Sequence, residues 1–132
     1  MKFLFTLFFI LPLFVKSDFP YEKIKQAFEL NDSKKIALMC KEKVLINIMG
    51  KENVYSQSQA NLVLKDFFKR KPGSSFKFFF KGQQSLRKTK HSSDGSFAVG
   101  NYKSENSKFR VTIHLKEIDD EFKIESLIIE LS

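Results

Sequence analysis

The spacing of apolar and polar positions divides this chain into an early helical part and a late strand part. After a first apolar stretch, Asp18 and Pro20 open a helix in which Ile24, Ala27 and Phe28 recur on one stripe. "NDSK" at Asn31 to Lys34 interrupts it, and Asp32 or Ser33 can cap a second short helix burying Ile36, Met39 and Cys40. "KVLINIMG" then changes period: Val44, Ile46 and Ile48 alternate with Leu45, Asn47 and Met49, and Gly50 ends the run. That alternation predicts a strand.

The next stretch carries the clearest local signal. Ser56 with Gln59 three residues on forms a capping box. Ala60, Val63, Leu64, Phe67 and Phe68 follow at helical spacing, Lys69, Arg70 and Lys71 fill the last turn, and Pro72-Gly73 stops the helix. From Gly73 onward the pattern is strand upon strand. Phe76, Phe78 and Phe80 are expected on one face, aimed at the helix that carries Phe67 and Phe68. Lys77 and Lys81 take the other face, with Phe79 between them. Asp94-Gly95 marks a hairpin turn. "SFAVGNY" follows, and then Phe109, Val111, Ile113 and Leu115 alternate with Arg110, Thr112 and His114. In the closing "FKIESLIIEL", Phe122 and Ile124 differ in parity from Leu127, Ile129 and Leu131. The switch at Ser126 predicts a bulge or a strand end covered on both sides.

The expected architecture is α+β, in the order α-α-β-α followed by four antiparallel strands, with helices packed on one sheet face. Length adds that this is one domain. The start of the chain is set apart from it. Lys2, the apolar run Phe3 to Val15, and Val15 and Ser17 at small-residue cleavage positions read as a secretory signal peptide over residues 1–17. The run is too short for a membrane span. The mature domain is expected over 18–132, exported to a bacterial periplasm or beyond the cell.

Charge and cysteine content narrow the chemistry. The net charge is +8, and Lys65 to Lys90 holds nine basic residues against one acid, Asp66. A cationic segment of that kind can meet an anionic polymer or a membrane surface. It also interleaves with aromatics as single-strand nucleic-acid faces do. Export removes that partner, so no nucleic acid is expected. The one cysteine, Cys40, reads as a small buried hydrophobe. His91 and His114 are too few and too scattered for a metal site. No nucleophile elbow or phosphate loop is present. No catalytic residue and no cofactor is assigned.

"VYSQSQANLVLKDFFKRKPGSSFKFFFKG", "DGSFAVGNYKSENSKFRVTIHL" and "FKIESLIIE" resemble the bacterial domain of unknown function 4783 family, of the nuclear transport factor 2-like and cystatin-like folds. The most specific parts are Tyr55-Ser56 opening a helix that ends in Asp66-Phe67-Phe68, then Phe76 with Lys81-Gly82, then Ala98-Val99-Gly100 before Lys108-Phe109-Arg110-Val111. The resemblance implies a curved antiparallel sheet wrapped around helices into a cone, often with a pocket, and export. It implies no activity. Two positions depart from the pattern: Gln83 to Lys90 is a longer connection, and Phe80 stands where a histidine is more usual.

A cone of this kind binds a ligand if its pocket is apolar with no polar pair inside. It is an enzyme if a buried acid or histidine faces the pocket, and an interaction module if phenylalanines fill it. His114 and Tyr102 are the residues that could face such a pocket, with Glu125 a carboxylate on the sheet. Phe79, Lys77 and Lys81 are the candidate surface contact. The expected partner is a small ligand or an envelope protein, and the chain is expected as a monomer or homodimer.

Overall fold

The computed structural model describes residues 19–83 and 95–132. The segment 1–17 expected as a signal peptide, the Asp94-Gly95 turn signal and the basic residues Arg87, Lys88 and Lys90 lie wholly or partly outside them. Helix α1 spans Tyr21–Glu29 and α2 spans Ser33–Leu38, with strand β1 at Cys40–Ile48 and β2 at Lys51–Ser56. Helix α3 spans Gln57–Arg70, followed by β3 (Gly73–Gln83), β4 (Gly95–Ser104), β5 (Lys108–Ile118) and β6 (Glu121–Leu131). The six strands form one sheet in the order β2-β1-β6-β5-β4-β3.

Local signals set the helix ends. Asp32 caps α2 by accepting from the Lys35 N–H at 3.0 Å. The Ser56 capping box is complete: its hydroxyl accepts from the Gln59 N–H at 3.2 Å, and its own N–H donates to Gln59 Oε1 at 2.9 Å. Ala60, Leu64, Phe67 and Phe68 are the buried face of α3. Cys40, expected on the second helix, instead opens β1, because the chain turns at Met39 and the Ile124 N–H donates to the Met39 carbonyl at 2.8 Å.

Three features correct the expected architecture. The first is β2, an additional strand that pairs antiparallel with β1 through a turn at Met49 and Gly50, both with positive φ. Its alternation is inverted. By register, Lys51, Asn53 and Tyr55 oppose the inward-facing Ile48, Ile46 and Val44, while Val54 opposes Leu45. Lys51 and Asn53 thus face inward with Tyr55, and the aliphatic Val54 faces outward, so no hydrophobic period announces the strand. The second is that β1 and β6 pair in parallel, which makes the sheet mixed rather than wholly antiparallel.

The third concerns Phe80. A bulge separates the pairs Phe78–Gly100 and Phe80–Val99, and it inserts Phe79 as an extra residue. Parity flips there. Phe80 moves to the outer face with Val99, and Lys81 joins the inner face opposite Ala98. Phe80 is therefore 46% exposed rather than packed on the helices. In the interior of the sheet, β6 carries the bulge, one of the two outcomes its parity switch allowed: His114 pairs with Ser126 and Leu115 with Ile124, leaving Glu125 over. Ile124, Leu127 and Ile129 all reach the core in consequence.

Between helices and sheet lies an aromatic cluster. Phe28 stacks on Phe76 with centroids 4.7 Å apart. Phe67 meets Phe109 edge to face at 5.2 Å, and Tyr102 touches Phe28, Phe67, Phe68 and Phe109. All six rings are buried. Gly100 is where the sheet admits this cluster, because a Cβ there would lie 2.6 Å from the Phe76 ring.

Candidate functional site

Tyr102 anchors the closed end of the cone. Its hydroxyl lies 2.6 Å from Asn31 Oδ1 and 2.7 Å from the Lys71 carbonyl, two acceptors for one proton. Asn31 sits at φ +54 in the α1–α2 turn, where asparagine is among the tolerated residues. Its amide also donates to the Gly73 carbonyl at 2.8 Å. One side chain therefore joins the α1–α2 turn to the α3–β3 turn and to β4. Burial pushes the Tyr102 phenol up to about 12, against a smaller lowering from the Gly73 backbone. Burial likewise pushes the Cys40 thiol up to about 12, opposed weakly by Lys123. Both groups are held neutral in the core, so neither is placed as a pocket acid or base.

His114 points away from the helices. It sits on the outer sheet face, with Nδ1 3.0 Å from Ser126 Oγ and its ring stacked on Phe97 at 5.5 Å. Glu125, at the β6 bulge, is ion-paired with Lys41 at 3.6 Å. Phe80 continues the outer row, 5.2 Å from Phe97. Phe79 is 59% exposed. Lys81, on the inner face, lies over the rings of Tyr21 and Phe78 at 5.0 and 5.6 Å, a cation–π geometry. The structure thus brings Lys77, Phe79, Phe80 and Lys81 to one stretch of edge strand and separates them from His114 by a strand, while Tyr102 is buried on the inner face, the side that Lys81 shares.

A cleft that none of these residues lines opens at the other end of the sheet. It lies between the β1–β2 hairpin and α3 and holds about 540 Å³. Ile46, Ile48, Tyr55 and Val63 form its apolar part, and Lys51, Glu52, Asn53, Asp66 and Arg70 its polar rim. The inverted alternation of β2 creates it: an inward Lys51 and Asn53 cannot pack on α3 as apolar residues would. Asp66 and Arg70 form an ion pair at 3.1 Å, well exposed and therefore at the mouth rather than inside. The lining holds no histidine, cysteine, serine or threonine. No group of three or more metal-ligating side chains occurs among the described residues. A shallower depression of about 530 Å³, across α3 by Leu62, Lys65, Lys69 and Pro72, does not reach the inner sheet face.

The family model described as "Domain of unknown function (DUF4783)" matches residues 21–130, from the start of α1 almost to the end of β6. The chain belongs to the DUF4783 family. A DUF4783 protein of Bacteroides fragilis, solved by crystallography, superposes with TM-score 0.74 at 22% identity, covering 87% of this chain and all of that one. The DUF4783 fold has wider relatives. A nuclear transport factor 2-like protein of Silicibacter pomeroyi superposes with TM-score 0.53 at 11% identity, covering 85% of this chain and 89% of that one. A cystatin-like domain of Nostoc punctiforme gives 0.59 at 10%, covering 85% and 72%. No curated protein matches. The α+β cone with a curved, mostly antiparallel sheet is thereby the fold of this DUF4783 chain.

Proposed function

We propose that the chain is an exported, non-catalytic binding domain that holds a small amphiphilic ligand in the cleft between β1–β2 and α3. One observation carries this reading. The aromatic cluster fills one end of the cone, while the other end keeps an opening of about 540 Å³ over Ile46, Ile48 and Val63. That volume lies in the range of small-molecule sites, which pair an apolar floor with a few polar groups. Rim charges of both signs, Lys51 and Arg70 against Glu52 and Asp66, suit a polar or zwitterionic end group. The lining carries no nucleophile paired with a base, which favours binding over turnover. Export rests on the signal-like segment of residues 1–17.

A thermal-shift screen of small amphiphiles tests the reading, run on the domain and on Val63→Trp, which fills the cleft from α3. The expected result is a ligand that raises the melting temperature of the first and not of the second. A ligand that stabilises both equally, or a screen with no stabilising compound, overturns it.

A further inference from the structure

The bulged edge strand β3 carries a second, separate surface. Phe79 and Phe80 are consecutive and exposed, at 59% and 46%. Phe80 leans on Phe97, and Phe97 on His114, so Phe80 rests on a braced row of rings with Phe79 beside it in sequence. Lys77 and Lys81 flank the pair along the strand, and Lys103 lies on the neighbouring β4 opposite Ser75. The described residues of β3 and β4 include no aspartate or glutamate. No ion pair among the described residues involves these three lysines.

We propose that this edge docks on a bilayer bearing anionic headgroups. Phe79 and Phe80 enter the boundary between headgroups and acyl chains, while the lysine ammoniums reach lipid phosphates. Exposed aromatics between cations are the chemistry of an interfacial anchor. The charge is complementary: Lys77 and Lys103, which join no ion pair among the described residues, and Lys81, whose ammonium lies over the Tyr21 and Phe78 rings, stand along an edge with no acid on either strand and suit an anionic surface. An added peptide strand fits less well. The bulge at Phe79 breaks the row of edge hydrogen-bonding groups, and the lysines discourage pairing.

The test is vesicle co-sedimentation of the chain from Asp18 onward, which omits the apolar segment Phe3 to Val15 and keeps every helix, strand and core residue described. Vesicles contain phosphatidylcholine alone or with phosphatidylglycerol. Binding is expected only with the anionic lipid, and high salt should release it. Phe79→Ser/Phe80→Ser should lower partitioning by about 100-fold. Lys77→Gln/Lys81→Gln should lower it by about five-fold per lysine. Val54→Ser, an exposed apolar residue on the opposite edge, should change nothing. Unchanged melting temperatures show that the variants fold.

Absence of binding, equal binding to neutral vesicles, or undiminished binding by the phenylalanine variant overturns the proposal. So does a dimer in sedimentation velocity that dissolves in that variant, which would give the surface to a second copy of the chain. The cleft takes no part in this assay, so Val63→Trp should bind vesicles normally whatever the ligand screen returns.

Discussion

The Tyr102 hydroxyl and the Asn31 side chain meet at 2.6 Å across 71 residues of sequence. The contact closes the aromatic end of the cone, because Asn31 also grips Gly73 and the same hydroxyl reaches the Lys71 carbonyl. Tyr102→Phe keeps the ring in its cluster and removes only the donor. The Lys71 carbonyl then loses this donor at the edge of a buried cluster, and Asn31 Oδ1 keeps only the long 3.4 Å bond from the Gly73 N–H. The expected loss is about 1–3 kcal/mol in urea unfolding with an unchanged m-value. A variant as stable as the parent would show that water satisfies both acceptors and that the lock is incidental.

Cys40 and Tyr102 give the fold a defined alkaline limit. Both have folded-state pKa values raised to about 12, from ordinary values of 9.0 and 10.0. Above pH 9 the unfolded chain releases these protons before the folded chain does. Stability contributed by the neutral forms is therefore complete below pH 9 and falls as the pH rises toward 12. Both groups contribute to that fall, Cys40 the more because its value is raised further from its ordinary one. Cys40→Ala is less stable at neutral pH because it leaves a cavity, yet its stability should fall less steeply between pH 9 and 12. Parallel curves for the two proteins would contradict the assignment.

Gly100 faces the Phe76 ring, which is itself stacked on Phe28. A methyl group at Gly100 would also come within 3.0 Å of the Lys77 carbonyl. Neither neighbour moves freely, since one is a packed ring and the other is backbone in a strand. Gly100→Ala should cost about 1–3 kcal/mol by overpacking. The paired variant Gly100→Ala/Phe76→Leu should recover part of that loss, as measured by thermal melting. If the pair is merely additive, the clash lies with the backbone alone.

What could be read in the sequence was what depends on near neighbours. Ser56 and Gln59 form their box within one helical turn, and Ala60, Leu64, Phe67 and Phe68 share a stripe by helical geometry alone. The parity switch at Ser126 likewise marked the place of a bulge or of a strand end covered on both sides, and the bulge is there. Phe80 could not be placed this way. Its face depends on how β3 pairs with Gly100 and Val99 of β4, and an alternating run looks the same with or without an inserted residue. β2 was hidden because two of its inward residues, Lys51 and Asn53, are polar while Val54 faces outward, and the cleft was hidden with it. Tyr102 is equally opaque, since its partners come from Asn31 and Lys71, in distant turns.

The β3 bulge makes a prediction that separates an inserted residue from a paired one. Deleting Phe79 brings Phe80 directly after Phe78. Phe80 then still opposes Val99 on the outer face, and Lys81 still opposes Ala98 on the inner face. The deletion should therefore fold, with a melting temperature within a few degrees of the parent. Deleting Thr112 from unbulged β5 should behave differently. Phe109 and Val111 or Ile113 and Leu115 would have to leave the core, because one residue of slip turns half the strand over. That loss should exceed ~4 kcal/mol and leave little soluble protein. A straightened β3 edge would also lose its protection against pairing, so the Phe79 deletion should self-associate more than the parent in size-exclusion chromatography at high concentration. If the two deletions prove equally damaging, Phe79 is a paired residue of the sheet and the outward turn of Phe80 needs another cause.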